Sequence, residues 1–267
     1  MQQLLNKKAL VTGAIGGIGE AIVRQLANDG AEIVIHHLND ADVAEKLSGE
    51  LAAQGVKTHV LQADLADRNQ VLRLANEAWN AMSGIDFLIN NAGVSYKKHF
   101  LDITEEDVNH FTDINFKGTL WLTQAVARQM INAGIEGSIY TITSINAMQP
   151  GVGLSTYGAT KAALETLMKG IALELAPHNI KVNTIAPGGI ATAMNAAVWQ
   201  DEQRLKSVNE HIPLGRLGMP EEIAKVLCGL LATGSYITGA TIPIDGGWTL
   251  QQGFVKPSRY DDKQTDK

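Results

Sequence analysis

An α/β fold, one doubly wound parallel sheet of about seven strands with helices on both faces, is what this sequence predicts, and three observations carry it. Short apolar and β-branched runs alternate with longer amphipathic stretches along the chain. A glycine-rich turn leads from the first of those runs straight into the first helical stretch. The composition, 267 residues with 45% hydrophobic and 19% charged, supplies one large core and too little charge for a disordered chain.

The runs that predict strands are 9–12, 32–36, 58–62, 87–90, 138–143, 181–186 and 241–244. Helical periodicity marks 19–28, 43–54, 70–82, 114–132, 155–175 and 221–231 between them. Parallel strands need crossovers, and right-handed helical crossovers cover both sheet faces and leave a ligand site at the strands' carboxyl ends. No internal repeat and no Pro/Gly/Ser-rich linker divides the chain, so residues 1–255 are expected to form a single domain, followed by a polar tail over 256–267.

Lys and Arg number 22 against 28 Asp and Glu, a formal charge of -6, and no dense basic run is present, which argues against a nucleic-acid partner. The single cysteine, Cys228, cannot close an intramolecular disulfide and reads as a buried spectator in a reducing compartment. The N-terminus lacks the apolar core of a secretory signal, so a cytoplasmic location is expected. The charge-free stretch 137–160 is crowded with polar side chains that would be costly in lipid, so no membrane span is expected. His36 and His37 invite a metal reading, but neighbours on a strand point to opposite faces, and no metal site is expected.

The turn reads Gly13-Ala-Ile15-Gly16-Gly17-Ile18-Gly19. Glycine at 13, 17 and 19 permits a tight turn and close backbone approach, and the following helix start offers unpaired N–H groups to a pyrophosphate. Glycines at such a turn also occur for packing alone.

In its Gly-x-x-x-Gly-x-Gly spacing this loop resembles that of the short-chain dehydrogenase/reductase family. Further matches run in order along the chain: Asp64-Leu65, Asn90-Asn91-Ala92-Gly93, Asn115, Ser144, Tyr157-x-x-x-Lys161, Pro187-Gly188 and Asp245-Gly246-Gly247. The resemblance implies a Rossmann-type dinucleotide-binding and catalytic domain, a nicotinamide-dependent oxidoreductase, commonly a homotetramer, that uses no metal. It implies that Gly13, Ile15, Gly16, Gly17, Ile18 and Gly19 cradle the cofactor, while Asp64 bonds the adenine amino group and Leu65 contacts the ring. Asn91 would contact cofactor or brace strands, and Ala92 and Gly93 would leave room beside the ribose. Pro187, Gly188, Ile190 and Thr192 match the segment that meets the nicotinamide carboxamide.

Tyr157 and Lys161 are four residues apart on a predicted helix and so share one face. A phenol with a pKa of about 10 is a poor base at neutral pH, and a nearby ammonium is expected to lower that value. Tyr157 could then exchange a proton with a hydroxyl or carbonyl oxygen. Ser144, just past the fifth strand, could donate to that oxygen; its other reading is a turn serine or helix cap. Asn115 interrupts a helical stretch with poor intrinsic propensity, which suggests a task. In the resembling family the matching Asn holds a water that links the lysine to solvent.

NAD selectivity usually needs a carboxylate at the end of the second strand. That position falls on His37, with Glu32 too early and Asp40 and Asp42 too late. A 2′-phosphate is therefore tolerated, although the basic residues common in NADP-binding relatives are replaced by Leu38 and Gly16. The expectation leans to NADP over NAD, with His37 or Asn39 available to the phosphate.

Residues 195–204, His211-Ile-Pro213 and Gly247-Trp-Thr-Leu250 resemble glucose 1-dehydrogenases within the family, which also contains 3-oxoacyl-carrier-protein reductases. Where those sugar enzymes carry a carboxylate and a histidine, this chain has Ser95 and Asn146. The expected substrate is therefore a secondary alcohol or ketone of polyol, other-sugar or cyclic-ketone type, met by Ser95, Ser144, Asn146, Tyr157, Gly189, Met194 and Trp199 under a lid over 189–212. A 3-oxoacyl thioester is the alternative substrate class. A catalytically silent dinucleotide-binding regulator is the alternative function, and intact Asn115, Ser144, Tyr157 and Lys161 speak against it.

Overall fold

The computed structural model describes residues 3–250; the tail expected at 256–267 lies outside them. The chain runs β1 (Lys8–Val11), α1 (Gly17–Asn28), β2 (Glu32–His37), α2 (Ala41–Ala52), β3 (Thr58–Gln62), α3 (Arg68–Met82) and β4 (Phe87–Asn90). It continues through α4 (Glu105–Phe111), α5 (Thr119–Ala133), β5 (Ser138–Ile142), α6 (Ser155–Leu175) and β6 (Lys181–Pro187). Then come α7 (Ala196–Trp199), α8 (Glu202–Asn209), α9 (Pro220–Thr233) and β7 (Thr241–Ile244). The seven strands form one sheet in the order β3-β2-β1-β4-β5-β6-β7, every pair parallel. The chain reverses direction across the sheet between β1 and β4, which opens a crevice at their carboxyl ends.

Successive strand residues feed two cores because successive side chains point to opposite faces. Ala9, Val11, Ile33, Ile35, Phe87 and Ile89 join α1, α2 and α9 on one face. Leu10, Val34, Leu88, Ile139 and Val182 join α3, α5 and α6 on the other. Cys228 is buried in the first core. Among the described residues no helix is long and apolar enough to cross a membrane.

Several elements differ from the sequence reading. The helix expected over 114–132 divides into a π-helical turn, Thr112–Gly118, and α5. Widened turns of this kind need a side chain or task that repays the lost α geometry, and Asn115 sits in its middle. β2 runs one residue further than expected, through His37. The helices α4, α7 and α8, of seven, four and eight residues, are too short for an apolar period to show. α4 had a legible signal in the capping box between Thr104 and Asp107, and α8 in its N-cap Asp201.

Candidate active site

The turn after β1 is held in a tight shape by its neighbours. Gly13 and Gly17 have φ of 59° and 53°, the left-handed region that penalises other residues by about 1–2 kcal/mol. A Cβ on Gly19 would lie 2.0 Å from the Gly13 carbonyl oxygen, so the loop folds back directly onto the helix start. Asn91 Nδ2 donates to the Thr12 and Gly13 carbonyls at 3.0 and 2.9 Å, and the Thr12 hydroxyl accepts from the backbone N–H of Asn91 and Ala92. Asn91 therefore braces β4 against β1.

His36 supports the loop from beneath. Its Nδ1 accepts from Gly13 N–H at 3.1 Å, which leaves the proton on Nε2 to be donated to the Ala63 carbonyl at 3.0 Å. Burial holds this imidazole neutral and brings its pKa down to about 4. Above it, α1 has no side-chain cap at its N-terminus, and Gly16 leaves open space where a side chain would stand. Backbone N–H groups thus face a cleft, the arrangement that receives a phosphate.

The cleft has a volume of about 610 Å³ and runs from this loop to the ends of β4, β5 and β6. Its lining includes Lys97, Lys161 and Arg204 and, among the described residues, no carboxylate. Ser144, Tyr157 and Lys161 all line it. Lys161 Nζ donates to the Ile142 carbonyl at 2.9 Å and lies 5.9 Å from the centre of the Tyr157 ring. Burial lowers the lysine to about 8, so the ammonium still predominates at neutral pH. Tyr157 departs from the expectation: its phenol is raised above the ordinary tyrosine value because burial outweighs the opposing hydrogen bond from Ser144. The Lys161 ammonium, 5.9 Å from the ring centre, does not reverse that in the chain alone.

Asn115 is wholly buried. Its Oδ1 accepts from Val94 N–H at 2.8 Å, and its Nδ2 donates to the Val94 carbonyl at 3.0 Å and the Thr160 hydroxyl at 3.3 Å. It clips the segment after β4 to α6 one residue before Lys161. A Cβ on Gly93 would meet Asn115 Oδ1 at 3.0 Å and Lys161 Nζ at 3.2 Å, so glycine there keeps the floor of the cleft open.

This geometry has counterparts among known proteins. The sequence profile described as Enoyl-(Acyl carrier protein) reductase matches residues 13–249. Dehydrogenase/reductase SDR family member 4 from Homo sapiens is 40% identical over 250 residues, covering 91% of this chain and 88% of that protein. The chain belongs to the short-chain dehydrogenase/reductase family. The 3-oxoacyl-(acyl-carrier-protein) reductase FabG of Aquifex aeolicus (strain VF5) is 39% identical over 249 residues, covering 92% of this chain and 98% of its own. The crystal structure of a short chain dehydrogenase from Burkholderia cenocepacia J2315 in complex with NADP superposes with a TM-score of 0.86 at 32% identity, covering 92% of this chain and 99% of that one.

In this short-chain dehydrogenase/reductase the cleft gathers Gly13, Gly16, Gly17, Ile18, Asn91, Ala92, Gly93, Pro187, Gly188, Ile190 and Thr192 from the expected cofactor set. Ser95, Asn146 and Met194 of the expected substrate set line it as well. Other candidates lie elsewhere. Ile15 packs against the core, and Gly19 serves the close approach described above. His37, Leu38 and Asn39 end β2 outside the cleft lining; His37 is buried with an unpartnered Nδ1, and Leu38 is exposed. Asp64 accepts from Ala66 N–H at 2.9 Å within its own turn, and the Leu65 carbonyl abuts Gly118. Gly189 faces Leu217 and Trp248, and Trp199 turns its Nε1 to the Thr192 carbonyl at 2.8 Å; neither lines the cleft.

Sequence reasoning passed over Tyr96, Lys97 and Arg204, which also line the cleft. Tyr96 donates to Asp107 Oδ1 at 2.8 Å and stacks on Phe111, which faces Tyr157 with ring centres 6.4 Å apart. Their nearness in sequence to Ser95 was the available signal for Tyr96 and Lys97.

Proposed function

We propose that this chain is an oxidoreductase that moves a hydride between a nicotinamide nucleotide and a secondary alcohol or ketone, with Tyr157 exchanging the proton. The observation that carries it is the meeting of Ser144, Tyr157 and Lys161 in the cleft that begins at the glycine cradle. A bound nicotinamide would supply or accept the hydride. The chain's own work is to hold the substrate oxygen between Ser144 and Tyr157, donate to it as negative charge develops, and pass the proton at the phenol oxygen. Lys161 and Asn115 serve the proton's route behind the tyrosine, and no metal takes part.

The residues suit a dinucleotide: an uncapped helix start, glycines where a side chain would block approach, and a lining with cations and, among the described residues, no carboxylate. NADP is the preferred nucleotide in this reading, with NAD as the lesser one. Its support is His37 in place of an acidic residue, the unpartnered His37 Nδ1, and the NADP-bound Burkholderia relative. Asp64, Leu65, Leu38 and Asn39 are assigned to the adenosine end. Ser95 favours a polar substrate such as a polyol, a sugar or a cyclic ketone. The Aquifex relative favours a second class, a 3-oxoacyl thioester. The reading further takes residues 1–255 as the working domain, the cytoplasm as its location and a homotetramer as its form.

Nicotinamide fluorescence followed across a panel of ketones, alcohols and 3-oxoacyl thioesters, with both nucleotides, tests it. Turnover with NADPH is expected to exceed that with NADH. Tyr157→Phe is expected to bind nucleotide normally and lose about 10²–10⁴ in kcat. Near-normal kcat in that variant across the working pH range would overturn the role of Tyr157, and nucleotide binding without turnover of any panel member would favour the silent regulator.

A further inference from the structure

The Ser144 hydroxyl oxygen accepts two hydrogen bonds from one neighbour, Asn146 N–H at 3.1 Å and Asn146 Nδ2 at 3.2 Å. The orientation of that amide is determined at its other end, where Asn146 Oδ1 accepts from Gly151 N–H at 3.0 Å. An oxygen must face Gly151, so the NH₂ must face the serine. A hydroxyl has two acceptor lone pairs and one proton. With both lone pairs taken, the proton is all that Ser144 has left to offer the cleft, and in the chain alone it is turned to the Tyr157 phenol beside which a substrate oxygen would sit.

We propose that Asn146 is a positioning residue: it fixes Ser144 as an obligate hydrogen-bond donor to the substrate's carbonyl or alkoxide oxygen. This rests on the role of Ser144 proposed above, and it replaces the expectation that Asn146 contacts substrate. The direction of the serine bond decides its sign for catalysis. A proton pointed at a developing oxyanion stabilises it, whereas a lone pair in the same place repels it. The rest of the turn supports the clamp. Residues 145–147 form a 3₁₀ turn capped by Ser144 itself. The Asn146 carbonyl lies 2.7 Å from where a Cβ on Gly158 would stand, so the turn seats on α6 beside Tyr157 only because residue 158 has no side chain. One residue thereby sets both the proton direction of Ser144 and the seating of its turn against the tyrosine's helix.

Asn146→Asp keeps the shape and the acceptor for Gly151 but exchanges the donor to Ser144 for an acceptor. An ionised carboxylate there would take the serine proton and turn a lone pair to the cleft. At about pH 8, kcat is expected to fall roughly ten- to hundredfold, with KM for the carbonyl substrate changed less than about threefold. Acidification protonates the introduced carboxyl and gives it an O–H to donate. The variant-to-wild-type ratio of kcat is therefore expected to climb as pH falls from about 8 toward the ordinary carboxyl range near 4. Tyr157 and Lys161, which face the turn from α6, titrate in both proteins and would be raised by the introduced carboxylate, so the full pH profiles of kcat are compared rather than single values. Asn146→Ala retains the backbone donor and is expected to lose less than about tenfold in kcat, with a ratio that does not change with pH.

A flat ratio for Asn146→Asp, or a rise in KM with kcat unchanged in either variant, would overturn the clamp. If Asn146→Asp fails to fold by thermal melting, the kcat-against-KM split in Asn146→Ala decides. Ser144→Ala separates the two readings. Full activity there would overturn the role of Ser144, whereas loss of activity there beside a flat Asn146→Asp ratio overturns the clamp alone.

Discussion

Each of the two adjacent histidines of β2 has its own surroundings. His36 is saturated by Gly13 and Ala63, while His37, equally buried, keeps an unpartnered Nδ1. A buried polar atom without a partner costs on the order of 1–3 kcal/mol, which a bound group could recover. In the proposed function that group belongs to the adenosine ribose or its 2′-phosphate. His37→Asp would place a carboxylate there, adding bonds to ribose hydroxyls and repulsion against a phosphate. The ratio of nucleotide affinities, read by fluorescence titration, is expected to move toward NAD by at least about tenfold, or about 1.4 kcal/mol. An unchanged ratio in a folded variant would mean that residue 37 does not select the nucleotide.

At the scale of elements, the glycine loop depends on β2 because Gly13 N–H, a hydrogen bond from the loop to a side chain, ends on the neutral His36 ring. Protonation would convert that acceptor into a donor facing a donor. The folded ring stays neutral down to about pH 4, whereas an unperturbed histidine protonates near 6.5. Between those values the unfolded chain holds the extra proton, so the stability from neutral His36 is fully present above about pH 6.5 and is lost as pH falls toward 4. The difference amounts to roughly 3 kcal/mol at most. Melting temperatures measured from pH 7 to 4 are expected to fall more steeply for the native chain than for His36→Gln, whose amide supplies an acceptor and a donor without titrating. Parallel curves would exclude His36 as a source of acid sensitivity. The π-helical turn belongs to the same scale: Asn115 and its bonds to Val94 and Thr160 explain why α geometry gives way there.

On the whole-molecule scale, α5 and α6 leave an apolar groove of about 430 Å³ on the outer surface, lined by residues that include Leu120, Ala127, Ile131, Leu167 and Ile171. An apolar surface of this kind invites a self-complementary partner, and the homotetramer proposed above would use it across a two-fold axis. Light scattering at assay concentration is expected to report four chains, and Leu167→Asp with Ile171→Asp is expected to reduce that mass. Only monomer in the native protein would refute the assembly.

The alternation of strand and helix, the glycine loop and the Tyr157–Lys161 spacing were legible in the sequence because each depends on backbone periodicity within a few residues. From those, the parallel sheet and the position of the cleft at its carboxyl edge follow by chain-crossing rules. What only the tertiary structure decided is environment. Gly13 is anchored by His36 and Asn91, 23 and 78 residues away, and no local pattern announces either bond. Tyr157 is raised, against the expectation from its lysine, because burial is a sum over distant elements that a four-residue spacing does not contain. Asn146 lies two residues from Ser144, yet its effect depends on Gly151 fixing the amide and Gly158 admitting the turn. Sequence determined which groups could do chemistry; packing determined which of their lone pairs and protons were left to do it.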